Sequence, residues 1–197
     1  MGTRPHKAGA TRPAALRRAV RDGLASATVL MLLASSGAFA RTGRAQAQVT
    51  RPLTLVNSGP LDFGQITAGQ RGATVTVSPA GVRSINVNFG FGSAPTLAGG
   101  SVRAAQFVGM GRPGQTVLIS TTTNSITLAN ASNARMTVNN FQMAANPVTP
   151  LTTTPRQFTI SSTNGSFAFS VGGSLVVGAN QAPGQYVGSF TVNIEYQ

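Results

Sequence analysis

Asp62 and Glu195 are the only acidic side chains beyond residue 40 of this 197-residue chain, so acid–base chemistry in that stretch would have to run through them. Two carboxylates flanking one bond are the apparatus of glycoside hydrolysis. Their neighbours argue against that use. Glu195 alternates with apolar residues and so points away from a core, while Asp62, between Leu61 and Phe63, is placed to bond nearby turn amides. The run Gly109-Met110-Gly111-Arg112-Pro113-Gly114 fits G-x-G-x-x-G. The glycines of a dinucleotide site open a helix whose N-terminus receives the pyrophosphate, whereas Gln115-Thr116-Val117-Leu118-Ile119 reads as a strand. Serine and threonine are abundant, yet a nucleophilic hydroxyl needs a base, and no histidine, lysine or cysteine follows residue 40. Calcium would need several converging carboxylates or carbonyls. Asn130-Ala131-Ser132 and Asn164-Gly165-Ser166 match the glycosylation sequon and read here as turns. The inventory predicts a protein that is not an enzyme and has no catalytic residues, cofactor or metal.

The elements that position these residues begin with an export signal. Arg4, Lys7, Arg12, Arg17, Arg18 and Arg21 precede an apolar run from Leu24 to Leu33, and Ala38-Phe39-Ala40 follows. That is the order of a basic region, a short apolar region and a small-residue cleavage site. A membrane anchor would need about 20 strongly apolar residues, and Ser26, Ser35 and Ser36 interrupt this stretch. Residues 1–40 are therefore read as a signal helix cleaved after Ala40, with Ala45-Gln46-Ala47 as a second cleavage site. The expected destination is the periplasm, the cell surface or the medium, with no membrane span after cleavage.

Beyond residue 40 the chain holds nine arginines, at 41, 44, 51, 71, 83, 103, 112, 135 and 156. Nucleic-acid sites concentrate basic residues in a stripe or interleave them with aromatics. These are scattered, which argues against a nucleic-acid partner. The remaining 157 residues suit one domain. With no cysteine in the chain, core burial has to hold it together.

Strand patterns fill that domain. Apolar and polar residues alternate in Ala73–Val77, Thr116–Ile119, Ile126–Leu128, Met136–Val138 and Phe167–Val171. Breakers fall between them, at Asn57–Pro60, Pro79–Gly81, Pro113-Gly114, Asn130–Asn133 and Pro183-Gly184. Asn164-Gly165, between Phe158-Thr159-Ile160 and Phe167-Ala168-Phe169, predicts a hairpin. Residues 144–156, with three prolines and a threonine run, read as a long loop, and Gly90–Gly100 as a flexible crossover. No stretch sustains a helical period. The expectation is an all-β sandwich over residues 53–197, preceded by an N-terminal extension at 41–52.

The C-terminal segment carries the sharpest alternation. From Tyr186 onward, Tyr186, Gly188, Phe190, Val192, Ile194 and Tyr196 share one face, and Val187, Ser189, Thr191, Asn193 and Glu195 share the other. A strand built this way buries one face. Near the other end, Ala45, Ala47 and Val49 alternate with Gln46, Gln48 and Thr50, ahead of Arg51 and Pro52. They make a candidate strand of small apolar residues that stops before the domain's own first strand at Leu53.

Gly184, the alternating residues after it and the penultimate Tyr196 resemble the C-terminal motif of chaperone-usher pilins. Pro52-Leu53-Thr54-Leu55, Leu61-Asp62-Phe63-Gly64 and Pro183-Gly184-Gln185-Tyr186-Val187-Gly188 make the layout similar to spore coat U domains of the archaic pilin branch, and still more to a family of secreted bacterial domains of unknown function. Spore coat U domains typically carry cysteines, which are absent here. The resemblance implies an immunoglobulin-like, pilin-like sandwich lacking one strand. It implies that Gly184, Tyr186, Phe190, Val192, Ile194 and Tyr196 belong to a strand paired first by a periplasmic chaperone at an usher. A neighbour's extension bearing Ala45, Ala47 and Val49 would then take its place in a fibre by strand addition. The alternative from the sequence is a self-contained exported sandwich that binds a surface polymer or glycan through loops 89–100 and 144–156.

Overall fold

The computed structural model describes Ala47, Val49 and residues 51–197 apart from Asn146, and every regular element among them is a strand. The signal segment 1–40 and Ala45 lie outside the described residues. Thirteen strands follow in order. β1 (Thr54–Gly59), β2 (Ile66–Thr67), β3 (Ala73–Val77), β4 (Arg83–Val87) and β5 (Thr96–Leu97) come first, then β6 (Ala105–Met110) and β7 (Thr116–Thr121). They are followed by β8 (Ile126–Ala129), β9 (Arg135–Met143), β10 (Thr149–Pro150), β11 (Arg156–Thr159), β12 (Ser166–Val177) and β13 (Val192–Tyr196). All pairings are antiparallel, as short strands joined by turns require.

The strands form two unequal layers. The larger sheet has eight strands; its main path runs β1-β6-β12-β3-β4, and β9 pairs with β12, β8 and β10. The smaller layer has three, in the order β11-β7-β13, and β2 pairs with β5 apart from both. Strands with period-two patterns bury one face: Val75 and Val77 of β3, Phe167, Phe169 and Val171 of β12, and Val117 and Ile119 of β7 meet in one core with Phe107 and Phe141. Phe107 stacks on Phe169 at 5.3 Å between ring centres. On β12 the pairing with β9 slips between Gly172 and Ser174, where a bulge lets two residues oppose one.

Asn164-Gly165 does not make the expected hairpin. β11 before it pairs with β7, and β12 after it pairs with β6, so the chain crosses from one layer to the other. Gly165 has φ 80°, but Asn164 is not in the left-handed region, and a hairpin turn of the expected type needs both. Asn164 Oδ1 instead accepts the Ser166 amide, and Phe158 faces Phe167 across the interior at 6.0 Å. The two expected loops are also more ordered than their composition suggests. Thr149 and Pro150 pair with Met143 and Gln142, and Leu151 is buried; Thr96 and Leu97 pair with Thr67 and Ile66.

Candidate functional site at the unpaired edge of the smaller layer

Because side chains and backbone groups alternate together along a strand, the register of β13 fixes which of its amides are free. Val192 lies opposite Thr121 and Tyr196 opposite Val117; Gln197 N donates to Thr116 O at 3.1 Å, and Thr122 N to Thr191 O at 3.3 Å. The bonds to β7 therefore come from Thr191, Asn193, Glu195 and Gln197. Val192, Ile194 and Tyr196 turn their N–H and C=O groups the other way. Among the described residues β13 has no second ladder partner. The same three residues, with Phe190, put their side chains against the core, yet all four are only half-buried, whereas Val117 and Ile119 of the neighbouring β7 are fully buried. At the other border of this layer, β11 brings only Phe158 to the core. One edge thus combines three unpaired backbone positions with a row of apolar side chains that is half covered.

The sequence-based faces hold from residue 190 onward and fail before it. Phe190, Val192, Ile194 and Tyr196 face inward, and Thr191, Asn193 and Glu195 are exposed. Tyr186 and Gly188 do not extend the strand. Tyr186 Oη donates to Ala182 O at 2.6 Å and accepts Gln181 Nε2 at 2.8 Å, a closed local loop away from the core. Val187 makes an isolated bridge to Ala129 at the end of β8. At Gly188 an added Cβ would lie 2.7 Å from the Thr127 carbonyl oxygen. Residues 184–191 cross from the large sheet to the small one, and only after that crossing can the ladder with β7 begin.

Gly184 locks the start of this crossing, and Tyr196 locks the end of the strand that follows it. Gly184 has φ 143°, and a Cβ there would sit 3.0 Å from Asn130 Nδ2. Asn130 itself is buried: its Oδ1 accepts the amides of Ser132 and Ala134, and its Nδ2 donates to Pro183 O at 3.2 Å. The sequon asparagine is thus the pin of the β8–β9 turn. At the far end, Tyr196 Oη accepts the Arg112 amide at 2.9 Å and donates to Arg51 O at 3.2 Å. Leu53 lies beside it: both approach Gly111, whose hypothetical Cβ would be 3.0 Å from Leu53 Cδ1 and 3.1 Å from Tyr196 Oη. The entry to β1 therefore sits at the end of β13. Ala47 and Val49 are exposed and belong to no strand.

Asp62 and the glycines of the G-x-G-x-x-G run have structural partners, whereas Glu195 faces solvent. Asp62 Oδ1 accepts the Gly64 amide at 2.8 Å, the turn bond its position suggested, and its backbone bridges Arg103. Glu195 is exposed on β13. The glycines of the G-x-G-x-x-G run end β6 and lead into β7: Gly109 packs against the Phe167 ring and Gly114 turns at φ 73°. Among the described residues no group of three or more His, Cys, Asp or Glu could hold a metal ion. Sequence reasoning missed Arg83. Its Nη1 donates to Phe63 O at 2.8 Å and Gln65 O at 3.1 Å, and its Nη2 to Ala98 O at 2.6 Å, fastening the β2–β5 flap to β4. No pattern in the flanking residues separates this arginine from the solvated ones.

The family described as "Domain of unknown function (DUF4402)" matches residues 53–196, and the chain belongs to it. The match begins and ends at the two residues that meet beside Gly111. No curated protein and no solved structure matches the chain.

Proposed function

We propose that the protein is an exported structural subunit of a surface fibre, related in kind to spore coat U and archaic chaperone-usher pilin subunits, and that β13 is where one copy receives a strand from the next. The observation that carries this reading is the coincidence, on one edge, of free backbone groups at Val192, Ile194 and Tyr196 with half-covered side chains at Phe190, Val192, Ile194 and Tyr196. An added strand would complete up to three pairs of ladder bonds, each bond contributing about 0.5–1.5 kcal/mol net, and would lay its own side chains over the exposed row. Edges of this kind invite pairing and are normally covered or blunted.

The donor in this reading is the extension 41–52. Its Ala45, Ala47 and Val49 alternate with polar residues, and small side chains suit a row that is already half covered. Before assembly, a periplasmic chaperone delivering subunits to an usher would hold the same edge. Arginine scatter and the lack of nucleophile–base pairs leave nucleic acid and catalysis outside the proposal.

Native mass spectrometry tests it. Protein beginning at residue 41 should form a series of multimers that resist detergent, because a strand held by a full ladder dissociates slowly. Protein beginning at residue 53 should stay unassembled, and a synthetic peptide of residues 41–52 should bind it and raise its melting temperature. A chain from residue 53 that is a stable monomer with no response to the peptide would overturn the reading.

A further inference from the structure

Phe89 and Phe91 are fully exposed, at 104 and 100 %, at the tip of the eight-residue connection between β4 and β5. The loop is not slack. Its base is closed by bonds from Asn88 N to Gly72 O (2.9 Å), Arg71 N to Ser93 O (3.1 Å), Gln70 N to Ser93 Oγ (3.1 Å) and Ser93 N to Gln70 Oε1 (3.1 Å). Gly90 and Gly92 have φ 150° and 98°, conformations that let the chain turn at the tip with a ring on either side of Gly90. The fold therefore holds two apolar rings out in water on a braced projection, and an apolar surface so presented marks a contact with something else.

Shape and charge select the partner. A tip of two rings is too small for the roughly 800 Å² per side of a stable protein interface. It is convex, so it has no cleft for a small ligand. Arg71 lies at its foot: the side-chain stem passes within 3.9 Å of where a Gly90 Cβ would be, and Nη1 reaches the Gly90 carbonyl at 3.5 Å. The chain from residue 51 onward has seven arginines against two carboxylates, one of which is engaged in a turn. Rings at the tip with a guanidinium behind them match the layering of a bilayer surface, acyl boundary then phosphate, and the net positive charge draws such a module to anionic lipid. We infer that the Phe89–Gly92 loop is a membrane-surface anchor that seats its two rings in the interface of an anionic lipid bilayer. The inference does not depend on strand addition, because the loop lies on a different element from β13.

Flotation of the purified protein beginning at residue 41, free of the basic and apolar signal segment, with phosphatidylcholine vesicles, with and without about one third phosphatidylglycerol, tests it. Binding to the anionic vesicles should fall at least tenfold in the double variant Phe89→Ser/Phe91→Ser. It should fall severalfold in Arg71→Gln and be weak on phosphatidylcholine alone. The urea midpoint of the double variant should not move, since the rings touch nothing in the fold. No flotation with anionic vesicles, flotation that survives the double substitution, or equal binding to neutral vesicles would overturn the inference. So would a shifted midpoint, which would place the rings within the fold, or loss of binding to a glycan or a protein partner in the absence of any vesicle binding.

Discussion

The ring of Phe190 stacks on that of Phe141 at 5.0 Å between centres and 25° between planes, and meets Phe107 edge-on at 6.1 Å. Phe141 is buried in the large sheet, whereas Phe190 stands two residues before the start of β13, half exposed beside its unpaired edge. The contact is how the strand that closes the small layer grips the large one. Phe190→Ala should cost about 2–4 kcal/mol, toward the low end for a phenylalanine because the ring is only half covered, while Phe141→Ala should cost about 3–5 kcal/mol. Urea denaturation of both variants checks the order.

Tyr196 carries two bonds on one hydroxyl, from the Arg112 amide and to the Arg51 carbonyl. Tyr196→Phe keeps the ring and removes both, so a loss of about 1–2 kcal/mol is expected. Hydrogen exchange at Arg112 should quicken well beyond that global loss, because its amide is the donor left without an acceptor.

The two edges of β13 can be told apart by proline. At Asn193 the N–H bonds β7, so Asn193→Pro removes a ladder bond and should unfold or strongly destabilise the domain, by about 3 kcal/mol. At Val192 the N–H points to the open edge, and Val192→Pro should cost about 1–2 kcal/mol less than Asn193→Pro. It should also stop multimer formation in gels while leaving a folded monomer. Equal destabilisation by the two would mean that the far edge is already paired.

Arg83 holds three carbonyls with a planar fork that lysine cannot reproduce. Arg83→Lys should therefore lose about 2–3 kcal/mol despite keeping its charge. Limited proteolysis should cut first near Ile66–Thr67 or Thr96–Leu97, the two strands of the flap that the guanidinium fastens.

Gly184 and Gly81 offer a matched pair. Both have positive φ, but a Cβ at Gly81 meets open space and one at Gly184 meets Asn130. Gly81→Ala should cost about 1 kcal/mol, the backbone penalty alone, and Gly184→Ala about 1–3 kcal/mol more. Thermal melting of the two variants compares them directly.

The sequence by itself determined the all-β class, most strand positions and the inward set from Phe190 to Tyr196, because period-two alternation and turn residues are local properties of the chain. It also placed Asp62 in a turn and Glu195 on the solvent side. Only the tertiary structure decided which strand lies beside which. Backbone N–H and C=O groups are the same at every residue, so nothing within Phe158–Ile160 or Phe167–Phe169 says whether they pair as a hairpin or face each other across two layers. For the same reason, Tyr186 and Gly188 share the alternation of β13 without joining it. The pattern fixes where side chains point only within a formed strand, and the ladder begins only where the crossing segment reaches β7, a distance set by Asn130, Gly184 and the packing of the large sheet. The open edge was invisible in the residues because it consists of backbone groups that have no neighbour, and a missing neighbour is a property of the assembled fold.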